Sequence, residues 1–107
     1  MALDRLKRDI RALSGVEDIS QFSANHFQFK DATGHRITYR FDGKELTRNG
    51  DLLAQGMTSF TFHFWTVKGT RAKFAKDLHL VEVDFSMDIK GVTRRVRMPI
   101  FPRRLGV

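Results

Sequence analysis

Residues 36–64, RITYRFDGKELTRNGDLLAQGMTSFTFHF, limit what this chain can fold into more than any other stretch. Ile37, Tyr39 and Phe41 alternate with Arg36, Thr38 and Arg40, and Phe60, Phe62 and Phe64 repeat the alternation further on. Successive side chains on a strand point to opposite faces, so the pattern describes an antiparallel sheet with one dry and one wet face. Asp42-Gly43 and Asn49-Gly50 lie between the two runs. Both suit tight turns, because Gly, and less readily Asn and Asp, accepts positive φ. Residues 45–48 read as a short strand between them, and residues 57–66 as a long strand opened by Gly56.

The flanks fill in the rest of the sheet. Residues 19–22 suggest a short strand. Phe27 and Phe29 alternate with His26, Gln28 and Lys30, and the turn at residues 31–34 returns the chain as a hairpin. Residues 78–89 alternate again, with Val81, Val83, Phe85, Met87 and Ile89 opposed to Glu82, Asp84, Ser86 and Asp88. After Lys90-Gly91, Val92, Arg94, Val96, Met98 and Ile100 face one way and Thr93, Arg95 and Arg97 the other. Glu82, Asp84 and Asp88 are placed to pair across this hairpin with Arg95 and Arg97. Pro99 and Pro102 donate no ladder bonds, so the last strand is expected at an edge. Residues 67–77, VKGTRAKFAKD, show no period and read as a mobile basic loop.

The chain opens on a helical pattern. Leu3, Leu6, Ile10 and Leu13 recur at steps of three and four, with Arg5, Lys7, Arg8 and Arg11 around them and Gly15 as the stop. About three turns are marginal alone, so the stripe must dock. It either covers the dry face of the sheet or serves as the seam of a coiled coil, whose spacing it also matches. With 107 residues the chain is expected to be one domain over 1–107, the helix within 1–15 and antiparallel strands within 16–107. The fold class is then α+β, a helix packed on an antiparallel sheet of hairpins. Phe41, Phe60, Phe62 and Phe64 are expected to share one dry face with Ile37, Tyr39, Val83 and Phe85, beneath Leu6, Ile10 and Leu13.

Few features point to chemistry. The chain has no Cys, which removes thiolate catalysis and Cys-ligated zinc. His26, His35, His63 and His79 lack metal-pair spacing, and there is no HExxH, GxSxG, GxGxxG or P-loop. No catalytic residue, cofactor or metal is expected. No run is apolar over the roughly 20 residues of a membrane span. Charge is uneven: residues 1–53 hold 9 Lys and Arg against 8 Asp and Glu, whereas residues 54–107 hold 10 against 4. The surplus falls on Lys68, Arg71, Lys73, Lys76, Arg94, Arg95 and Arg97, with Arg103 and Arg104 beyond. These first seven form a candidate patch for an anionic partner. Trp65 follows Phe64 onto the wet face beside His63, where bases of a single strand would find a stacking platform.

Taken together, the order of a helix ending in DIRAL, then VEDIS, a small hairpin, ITYRFDGKELTRNGDLLAQGMTSFTFHFW and a long hairpin resembles the globular domains of minor pilins and pseudopilins of type IV pilus and type II secretion systems. The resemblance spans about residues 3–100 and is carried best by residues 37–64, an I-x-Y element followed by L-x-R and a hydrophobic strand. The family's leader with its Gly-Phe cleavage site and Glu-bearing apolar helix is not in this sequence. The resemblance therefore implies a soluble domain whose helix continues upstream into the inner membrane, Met1 and Ala2 being foreign to the natural chain. It also implies a pilin-like fold and a non-enzymatic assembly subunit, partnered by other pilins or pseudopilins, on the periplasmic side of the bacterial inner membrane or in an envelope-spanning or surface fibre. Its assembly helix would present Leu3, Leu6, Ile10 and Leu13. The alternative is a small basic nucleic-acid-binding domain, and a DNA-capturing minor pilin would unite the two. No small-molecule substrate is expected.

Overall fold

A computed structural model describes residues 2–13, 15–31 and 33–102, with only the backbone of Ala2, Leu3 and Val16. Helix α1 (Ala2–Arg11) is followed by eight strands: β1 (Ile19–Ser23), β2 (His26–Lys30), β3 (Arg36–Phe41), β4 (Glu45–Arg48), β5 (Asp51–Gln55), β6 (Met57–Trp65), β7 (Leu80–Ile89) and β8 (Val92–Ile100). They form two antiparallel sheets in chain order, β1-β2-β3-β4-β5 and β6-β7-β8. This overturns the expected α+β class. The protein is mostly β, with two sheets and one short helix, not a pilin-like helix packed over a single sheet. The alternation correctly marks dry and wet faces, but it carries no record of which strands share a sheet. That is decided at Gly56, whose φ of +82° lets the chain leave β5 without pairing β6 to it.

The dry faces of both sheets meet in one core. Phe27, Phe29, Ile37, Tyr39, Phe41 and Leu46 come from the first sheet, and Phe60, Phe62, Phe64, Val81, Val83 and Phe85 from the second. The expected aromatic set is therefore buried, but it is divided between two sheets rather than lying on one. Edge-to-face rings bridge them, with Phe27 centred 5.6 Å from Phe62 and 5.1 Å from Phe64, and Phe22 5.1 Å from Phe64. Such pairs add to the burial of ring area itself. A β-bulge between Met57 and Ser59 shifts the period by one residue. It lets Met57 and Phe60 both point inward, which strict alternation forbids.

Helix α1 ends at Arg11, short of the expected end near residue 15, and Leu13 then forms an isolated bridge with Asp31. Leu6, Ile10 and Leu13 are fully buried in the common core; the side chain of Leu3 lies outside the described residues. The stretch after β6 is not the structureless loop expected. Trp65 bridges Arg71, the N–H groups of Thr66 and Gly69 donate to Thr70 and Thr66 carbonyls, and a 3-10 turn follows at Ala75–Asp77. Residues 51–55, which the sequence reading assigned to no element, are strand β5 on the rim of the first sheet, where Leu52 is exposed.

Candidate functional site

Two charged clusters and one cleft stand out among the described residues. The first fastens α1 to the sheet. Asp9 is one i+3 step from Leu6 on α1, so it borders the apolar stripe and is buried with it. Tyr39 Oη donates to Asp9 Oδ2. Arg48 Nε donates to the same oxygen at 2.6 Å, and Arg5 Nε lies 3.6 Å from Oδ1. Tyr39 and Arg48 are register partners on β3 and β4, so one carboxylate ties a helix to two strands. Burial, then the Asp9 hydrogen bond, pushes the Tyr39 phenol well above its ordinary range. The bond to Asp9 raises the Arg48 guanidinium. This cluster was missed by the sequence reading, which gave Asp9 no role; the i+3 step from Leu6 is the signal that would have found it.

The second cluster lies on the wet face of the β6-β7-β8 sheet. Asp84 accepts a two-pronged bond from Arg95, Nε at 3.0 Å and Nη2 at 2.6 Å, while Arg97 Nε approaches to 3.4 Å and His63 Nε2 to 3.7 Å. The Arg95 hydrogen bonds lead in holding the Asp84 carboxyl down at about 2, against the opposing effect of burial. Asp88 accepts from the Thr93 hydroxyl at 2.6 Å. Trp65 stacks on His63 with centroids 5.9 Å apart. The expected cross-hairpin pairs thus form at Asp84, whereas Glu82 stands opposite Pro99.

The third feature is a cleft of about 500 Å³ between the turn after β6 and the 3-10 turn, lined by Thr66, Val67, Lys68, Thr70, Lys76 and His79 among others. Lys76 Nζ sits 5.7 Å from the centre of the Phe74 ring, and Phe101 meets His79 edge to face at 5.9 Å. Val67, Phe74 and Phe101 are exposed. The seven cations expected to form one anionic-partner patch are therefore not one surface. Lys68 and Lys76 flank this cleft, Lys73 is exposed nearby in sequence, and Arg71 lines a separate hollow with Phe22, Ser23 and His63. Arg94 is opposite Met87, seven residues along β7 from Leu80, or roughly 23 Å at the rise of a strand. Arg95 and Arg97 are committed to Asp84, and Arg103 and Arg104 lie outside the described residues.

The four histidines occupy separate places. His26 faces Arg40 across the ladder and is held low by burial first and that guanidinium second. His35 Nδ1 is 2.6 Å from Thr33 Oγ1. No group of three His, Asp or Glu among the described residues is arranged to hold a metal ion. No described helix is long and apolar enough to cross a membrane. No family model, no curated protein and no solved structure matches the chain.

Proposed function

We propose that the chain is a non-enzymatic assembly subunit of a type IV pilus or type II secretion pseudopilus, working with other pilins or pseudopilins at the periplasmic face of the bacterial inner membrane. The observation that carries this reading is the fastening of α1 through Asp9. A fibre subunit has to move its helix and its globular body as one unit. A buried carboxylate bonded to two strands, with Leu6, Ile10 and Leu13 beneath it, supplies that rigidity. Arg8 and Arg11 lie exposed on the other side of the helix, where a neighbouring subunit would pack. The chain has no Cys, so Arg8→Cys or Arg11→Cys gives a single thiol to carry a maleimide photo-cross-linker, which inserts into whatever subunit packs there in the source bacterium. Cross-links to fibre subunits, and loss of fibres or secretion on deletion of the gene, are the expected result. Intact fibres and secretion after deletion, with no captured subunit, would overturn it.

A second reading, nucleic-acid binding, is favoured by one observation: Lys68 and Lys76 flank a cleft beside the exposed Phe74 ring. Binding there would weaken steeply with salt, since phosphate contacts release counterions. Lys76→Ala together with Phe74→Ala would abolish it. An unchanged affinity for oligothymidylate in that double variant would remove this reading.

A further inference from the structure

The two edges of the three-stranded sheet are built differently. The β6 edge is covered. Phe62 N–H donates to the Ala24 carbonyl at 2.8 Å, the Phe64 carbonyl accepts from Ala72 N–H at 2.8 Å, and Arg71 bridges Trp65. The β8 edge has no such cover among the described residues. Its far end lies near α1, where Ile100 is fully buried, but every residue from 92 to 97 is exposed.

The turn geometry says which groups that edge offers. Lys90 and Gly91 both have positive φ, 52° and 81°, so they form a two-residue hairpin loop. Ile89 and Val92 beside it are then a hydrogen-bonded pair, and bonded and unbonded pairs alternate along the ladder. Val92, Arg94, Val96, Met98 and Ile100 point their backbone groups at β7. Thr93, Arg95, Arg97 and Pro99 point theirs away from it. Pro99 thus sits where a missing N–H costs no ladder bond. What remains is a free template of three N–H groups and the carbonyls beside them.

Its side chains select what can use it. Ile89, Val92 and Val96 are exposed at 47%, 56% and 40% on the inner face. Arg94 stands among them with no ion pair to a described residue. On the outer face Asp84 pins Arg95 and Arg97 along the edge, leaving their side chains 60% and 59% exposed. A second copy of β8 would lay arginine against arginine, which is unfavourable in cross-strand positions. We propose that β8 accepts, by strand addition, an extended acidic segment of a partner protein, with apolar residues covering Val92 and Val96 on one face and carboxylates meeting the exposed guanidinium groups of Arg95 and Arg97 on the other. The exposed stretch at residues 92–97 shares no residue with α1, so the proposal stands or falls independently of the assembly reading.

The test uses the whole chain and capped heptapeptides that alternate Val with Glu or Val with Lys, followed by amide NMR and hydrogen exchange. The Val/Glu peptide should bind saturably and protect the Thr93, Arg95 and Arg97 amides, and the Val/Lys peptide should not. Thr93→Pro removes one outward donor without touching the β7 ladder, and should weaken binding about five- to tenfold, the effect of one main-chain hydrogen bond. Arg97→Gln should weaken it through charge while keeping the fold, as a folded-state amide spectrum would show. Three results would overturn the proposal. One is no saturation up to about 1 mM, the weak limit of specific binding. Another is protection of these amides in the free protein. The third is oligothymidylate or phosphatidylglycerol vesicles occupying the edge in place of the acidic peptide.

Discussion

Asp9 and Asp84 are both nearly buried carboxylates, and each is met by arginine, yet they hold together structure of different range. Asp9 reaches Tyr39 and Arg48, which are 30 and 39 residues away in the chain. Arg48 keeps only 20% of its side chain exposed. Asp84 takes its arginines from the next strand of its own hairpin, 11 residues away in the case of Arg95. Those side chains are about 60% exposed, so water competes for them. The same chemical pair therefore acts as a tertiary fastening in one place and as a local hairpin clasp in the other. An unpaired group left in the first is stranded away from solvent, whereas in the second it rehydrates.

The largest effect provides the scale for this contrast. Phe62 is 2% exposed and touches rings of both sheets. Phe62→Ala should cost about 3–5 kcal/mol in urea unfolding, the range for a buried ring. A midpoint unchanged from wild type would mean that the two sheets do not share this core. Asp9→Ala should come next, at about 3 kcal/mol, the low end for breaking a buried pair because Arg48 retains some contact with water. It should also increase hydrogen exchange throughout α1. If the loss equals that of Asp84→Asn, the two clusters do not differ in the range of structure they hold.

Tyr39→Phe should cost about 1.5–2 kcal/mol, as expected for a hydrogen bond to a charged group. It also sharpens the comparison through pH. The phenol is raised above its ordinary 10 in the folded protein, so its contribution is complete below pH 10 and is lost as pH climbs beyond it. Tyr39 is the sole tyrosine, so phenolate absorbance reports it alone and should appear together with unfolding. Absorbance that develops at ordinary alkaline pH in the folded protein would break the Asp9 bond as an explanation. Asp84→Asn should produce the smallest shift at neutral pH, less than half that of Asp9→Ala. Its signature is on the acid side. The carboxyl stands at about 2 when folded against an ordinary 3.8, so its contribution is present above about pH 4 and is lost as pH falls towards 2. The variant should flatten that part of the stability curve; an unchanged acid limb would assign it to other carboxylates.

Much of this was legible from residue order. Period-two runs marked β2, β3, β6, β7 and β8 and their dry faces, because alternation follows directly from strand geometry. Asn49-Gly50 and Lys90-Gly91 marked their turns, because only certain residues accept the positive φ found at all four. The stripe of Leu6, Ile10 and Leu13 marked a docked helix. The pairing of Asp84 with Arg95 followed from two alternating strands joined by a two-residue turn. Local rules sufficed wherever the partner was near in sequence.

The tertiary structure decided the rest. Whether β5 and β6 pair is a matter of where Gly56 turns the chain and how two aromatic faces close on each other, and no period records that. Asp9 looked like one more polar residue on a basic helix until β3 and β4 brought Tyr39 and Arg48 to it. The cations of the second half looked like one patch until the β7–β8 hairpin carried Arg94 roughly 23 Å from the loop end. Sequence determines which side chains a strand or helix presents; long-range packing determines what they meet, because that depends on surfaces assembled from distant parts of the chain.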